Sequence, residues 1–210
     1  MFQPGDFVVY GSSGVCRVIQ VGALEGKSAD PTRQYYTLQP VFESERIYTP
    51  VDSGVFMRPA MTKEQAQAFI RQIPSIGEDL CTERNPATLR IHYEASLQSH
   101  QCEELVRLIK GIRHKCRETE KKGRKMGQVD QRYRKKAEGL LHGELAIALG
   151  IPLDQVERAY LRIEDVPVGM GCRRVPMGQH YLMVLLRSGA ACKGALNGRK
   201  EGDWVLEQIH

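Results

Sequence analysis

The feature that most constrains this chain is the break between Ser75 and Pro86. Pro74 and Pro86 bound it, and Gly77 and Asn85 lie inside it. On the N-terminal side, apolar residues come in short runs separated by Gly, Ser, Asp and Pro. On the C-terminal side they recur at three- and four-residue spacing. Strands followed by helices, rather than alternating with them, predict an α+β chain. Residues 1–75 read as a first domain, 76–86 as a linker, 87–165 as a helical domain and 166–210 as a tail.

The first domain opens with Phe7–Tyr10, a Gly11–Gly14 turn and a second strand from Val15 to Val21. Apolar runs around a Gly/Ser turn predict a hairpin. Gly22–Thr32 reads as a loop. Further strands are expected at Gln34–Val41, Arg46–Val51 and Val55–Arg58. Short strands with tight turns suggest a small, bent sheet or barrel. Pro50 ends the fourth strand or marks it as an edge, because proline cannot donate to a ladder. An open edge can accept a partner's strand, unless a loop of the same chain covers it. Thr62 and Gln65 have capping-box spacing, and Ala66, Phe69, Ile70 and Ile73 share one helical face before Pro74.

Four more helices are predicted. The first runs from Thr88 to Leu97 with Leu89, Tyr93 and Leu97 in register. The second spans Cys102–Thr119, with Leu105, Leu108, Ile109, Ile112 and Cys116 inward. Gly123 and Gly127 break the chain. The third spans Val129–Leu149. Gly150 fits its C-terminal stop and Pro152 the start of the last, which carries Val156, Ala159, Tyr160 and Ile163. Short turns between amphipathic helices predict an all-α bundle.

Charge points to a partner. Arg107–Lys136 holds thirteen Lys and Arg against three acids, net +10 in a chain whose total is +5. These cations lie off the apolar stripes and gather where the second helix ends and the third begins. That clustering suits a phosphate surface better than an evenly solvated bundle. The spacing is no helix-turn-helix, so phosphate and shape contacts are expected rather than base reading.

Other classes find little support. The apolar run Tyr181–Leu186 is too short to span a bilayer, and the N-terminus lacks a secretory pattern. Six scattered cysteines without CxxC spacing read as reduced thiols of a cytoplasmic protein. His114 and Cys116 lack a second ligand pair, so no metal site is expected, nor any cofactor. No P-loop, HExxH or GxSxG occurs, and no acid and base are paired by spacing, which argues against an enzyme.

Phe2, Gly5-Asp6, Val8-Val9-Tyr10 and Gly14 open a longer pattern. It continues through Tyr36 to Leu38, Thr49-Pro50-Val51, Met57-Arg58, Tyr93-x-Ala95-x-Leu97 and Gly143-Glu144-Leu145-Ala146. Over about residues 1–160 the chain resembles the CarD/CdnL family of bacterial RNA polymerase-binding transcription regulators. The resemblance implies a Tudor-like sheet that docks on the polymerase β subunit, with contacts at Leu24, Ile47 and Tyr48. It also implies a monomer whose helical domain meets promoter DNA at the upstream edge of the bubble, where an aromatic wedge enters the minor groove. A similar module occurs in the transcription-repair coupling factor.

At the wedge position this chain has Leu89, which reads equally as a core residue; its one tryptophan, Trp204, lies far off in the tail. Arg90 and His92 flank Leu89. Arg113, Arg117, Lys121, Lys122, Arg124, Lys125, Lys135 and Lys136 complete the expected DNA-binding set. The function expected is stabilisation of the open promoter complex. One alternative is an adaptor that docks on polymerase and recruits another protein without touching DNA. A more distant one is a nucleic-acid-processing enzyme. The Gly-rich tail, with one apolar segment, reads as a hairpin against the bundle or a partly disordered extension.

Overall fold

A computed structural model describes residues 1–24, 32–164, 173–177 and 180–184. The first half is a five-stranded antiparallel sheet. It is built from β1 (Phe7–Tyr10), β2 (Gly14–Gly22), β3 (Tyr35–Pro40), β4 (Ile47–Pro50) and β5 (Met57–Pro59), in the order β4-β3-β2-β1-β5. The first four form a meander, and β5 returns to pair with β1. The sheet is open, with edges at β4 and β5, and the fifth strand starts two residues later than the apolar run suggests. Val8, Cys16, Val18, Tyr36 and Leu38 fill its inner face. The register shifts between Val18 and Gln20, a bulge that increases local bend.

The helices are α1 (Lys63–Gln72), α2 (Pro86–Gln98), α3 (Cys102–Lys121), α4 (Gln128–Leu149) and α5 (Leu153–Glu164). The capping box at Thr62 forms in both directions: its hydroxyl accepts from the Gln65 amide, and the Gln65 side chain accepts from the Thr62 amide. Gly150 takes the left-handed conformation that stops α4. Although α1 follows the sheet in the chain, its apolar face (Ala66, Ile70, with Ile73 just beyond) enters the bundle core beside Leu105, Ile109 and Leu141. The sheet's inner face is already filled by its own strands, so the bundle is where this face finds cover.

The segment between α1 and α2 is a strap fastened across α3. The Asp79 amide donates to the Arg107 carbonyl at 3.0 Å. The Lys110 ammonium donates to the Ile73 and Ile76 carbonyls at 2.6 and 2.7 Å. At Gly111 the strap comes so close that a β-carbon would overlap the Asp79 carbonyl oxygen. In the tail, β6 (Arg173–Met177) and β7 (His180–Val184) pair antiparallel, with β6 beside α5. Trp204 and the side chains of Ala159 and Ile163 lie outside the described residues. No helix among the described residues is long and apolar enough to cross a membrane.

Candidate functional site

Two surfaces stand out, one on each half. The first is the outer edge of β4. Its inner side pairs with β3, and the Tyr10 hydroxyl donates to the buried Thr49 hydroxyl at 3.0 Å. No strand pairs with its outer side among the described residues. Alternation turns Ile47 against the sheet core and leaves Tyr48 53% exposed. Gly22, Tyr35 and Pro50 share one row of the ladder, so Leu24, half-buried, lies just off the end where β4 finishes.

The second surface is one end of the bundle. Asn85 caps α2 by accepting the Ala87 amide at 2.8 Å, and Pro86 occupies its first turn. Leu89, Tyr93 and Leu97 then point inward. Leu89 is 4% exposed and belongs to the helical core. A side chain so covered has no surface to put between base pairs, so the wedge role expected at Leu89 is corrected here to a core role. Two residues on, about 200° around the helix, Ile91 is 73% exposed with Arg90 exposed beside it.

Two more expected DNA-binding residues are occupied elsewhere. His92 Nε2 lies 2.6 Å from Asp79 Oδ2, which ties α2 to the strap. Arg113 donates to Glu138 at 2.7 Å and covers the Tyr160 ring, its guanidinium carbon 5.5 Å from the ring centre. Both read as surface cations in sequence because their acidic partners are distant in the chain.

Arg117, Lys121, Lys122, Arg124, Lys125 and Lys135 are exposed. Lys121 pairs with Glu118 at 2.7 Å, within the same helix. Half-buried Lys136 reaches Glu94 at 3.7 Å, joining α4 to α2. The turn between α3 and α4 is made possible by Gly123, at φ 67°, a conformation that costs a side-chain-bearing residue. Arg132, which the expected set lacks, is exposed on α4, and it and Arg90 both lie close to Tyr133. Burial and the neighbouring Glu94 raise the Tyr133 pKa; the two arginines oppose them.

Beneath this face, Asp130 fixes the three helices. It is 6% exposed and accepts from Tyr93 at 2.7 Å and Lys115 at 2.9 Å. Its place in the first turn of α4 suits a negative charge. Burial, then the bond to Asp130, push the Tyr93 phenol well above its ordinary range. Lys110 and Lys115 are thus structural members of the basic block. No group of three or more metal-ligating side chains occurs among the described residues.

Among the described residues, one half thus carries an unpaired β-edge and the other a cationic end. Residues 2–61 match the family model of the CarD-like/TRCF RID domain, so the chain carries this RNA polymerase-interacting, protein-binding module. The match ends where the sheet gives way to α1. No curated protein matches the chain.

Proposed function

We propose that this protein is a transcription regulator that docks on the RNA polymerase β subunit through β4 and holds upstream fork DNA with the end of its bundle. The observation that carries the reading is the pairing of a matched polymerase-interaction module, its β4 edge unpaired among the described residues, with a cationic face on the bundle packed against it. On the sheet, Tyr48 is the side chain offered to the partner; Ile47 and Leu24 support it. On the bundle, Arg90, Arg117, Lys121, Lys122, Arg124, Lys125, Arg132, Lys135 and Lys136 supply phosphate contacts. Ile91 is the aliphatic side chain available for insertion at an unstacked step, in place of Leu89. The protein stabilises the open promoter complex because it binds that state better than the closed one; only such a difference can shift the equilibrium.

The test is the lifetime of open complexes under competitor challenge with cognate polymerase. The protein should lengthen it, and Ile91→Ala should lose most of the gain while folding normally. A lengthened lifetime that survives Ile91→Ala removes the wedge and leaves the cations. Unchanged lifetimes, with polymerase affinity indifferent to DNA, would replace the reading with the adaptor one.

A further inference from the structure

The two halves meet at a buried carboxylate. Glu144 lies in the middle of α4 and its side chain is 3% exposed. A buried carboxylate needs donors on both oxygens. Here they come from three other parts of the chain. The Arg58 guanidinium, from β5, donates to both oxygens, with Nη2 to Oε2 at 2.8 Å. The Met61 amide, just past the sheet, donates to Oε1 at 3.0 Å. The Cys102 thiol, at the start of α3, donates to Oε2 at 3.3 Å.

Two further contacts flank this point. The Phe56 ring stacks on His100 with centroids 4.1 Å apart and planes 7° from parallel. His100 holds the turn between α2 and α3 at φ 55°, the left-handed region, in a residue other than glycine. At Gly143, beside Glu144, a β-carbon would come within 3.0 Å of the Phe42 ring, so the ring packs closely over α4 at this glycine.

Replacing a buried ion pair by apolar side chains of similar size often leaves stability unchanged or raises it. Stability alone therefore does not explain why charge sits here. A bidentate Arg–carboxylate pair does supply direction: two parallel bonds fix the plane of one group against the other. We propose that Glu144 and Arg58 are positioning residues that fix the angle between the polymerase-docking sheet and the cationic end of the bundle. Once the sheet is docked, that angle decides where Ile91 and the cations arrive. This second step rests on the function proposed above; the fixed angle itself does not.

The test uses the full chain with spin labels on ketone-bearing residues substituted at the exposed Ser44, on the sheet side, and Gln98, on α2. The wild type should give one narrow distance distribution. Arg58→Met leaves a buried unpaired carboxylate and can unfold the chain, so the deciding variant is Arg58→Met/Glu144→Leu, which removes both charges. It should keep its helical circular dichroism and its affinity for polymerase alone within twofold. Its distance distribution should at least double in width, and about tenfold of the affinity gained from fork DNA should be lost.

A folded double variant with a distribution as narrow as wild type overturns the proposal. So does a wild-type Met61 amide that exchanges with solvent like an open loop, a measurement that needs no variant. If the wild type gains nothing from fork DNA, the DNA-binding reading fails, and the width of the distribution still decides whether the latch sets the angle.

Discussion

His142 lies in the wall between α4 and α5, 3% exposed, its ring 4.7 Å from that of Tyr160. Neither ring nitrogen is hydrogen-bonded among the described residues. Burial, and then the Arg113 charge, press its pKa from 6.5 down to about 4, with Glu138 opposing. Between those two values the unfolded chain binds a proton that the folded chain refuses. Stability is therefore full above pH 6.5, falls as pH drops towards 4, and loses about 3 kcal/mol from this residue in all. Carboxylates add their own slope at the acid end, so the measurement is a difference. Wild type and His142→Leu unfolded in denaturant between pH 7 and 4 should diverge, with the variant losing less; parallel curves would reject the assignment. Gly111 makes a second residue-scale case. Alanine normally stabilises a helix interior by about 1 kcal/mol over glycine. Here Gly111→Ala should lower the melting temperature and expose residues 76–85 to protease, because the strap cannot move off the added methyl group without giving up the Asp79–Arg107 bond.

At the scale of elements, α2 sets a buried and an exposed aliphatic side chain within three residues. Leu89→Ala empties a core position and should cost about 2–5 kcal/mol of stability. Ile91→Ala, on the outward side, should change stability by less than about 0.5 kcal/mol. Any loss of open-complex lifetime in Ile91→Ala is then a loss of contact, whereas the same loss in Leu89→Ala reads only as damage to the bundle. The contrast shows how much was legible in the sequence. The 89/93/97 register and the capping box at Thr62 depend on neighbours within one or two turns, and both appear as read. The likeness placed the wedge at Leu89 by its distance from Tyr93; the same periodicity that makes α2 a helix buries that side chain. The destination of α1 was not legible, because an amphipathic face says that it will be covered and not by what. Nor was the Arg58–Glu144 pair, whose members are separated by 86 positions. The ion pairs of His92 and Arg113 were not legible for the same reason: Asp79 and Glu138 reach them only through the fold.

At the scale of the whole molecule, charge is divided. The cations cluster at the end of the bundle, and residues 1–82 carry two more acids than bases. On the proposed function, the sheet meets a protein and the helices a polyanion, which would make the two contacts separable by salt. The proposed docking, through the backbone of the β4 edge and Tyr48, should vary little with ionic strength. Each phosphate contact on duplex DNA contributes about 0.9 to the slope of log affinity against log salt. Lys122, Arg124 and Lys125 are exposed, and Lys121 is partly engaged by Glu118. Changing all four to alanine should therefore flatten the slope for fork-DNA-bound polymerase by about 3. Affinity for polymerase alone should stay as it was. Tyr48→Ala should do the opposite, weakening both complexes about equally while leaving the slope intact. If the fourfold variant keeps the wild-type slope, the turn between α3 and α4 does not touch the phosphate backbone, and the DNA face must be sought around Arg90, Arg117, Arg132, Lys135 and Lys136.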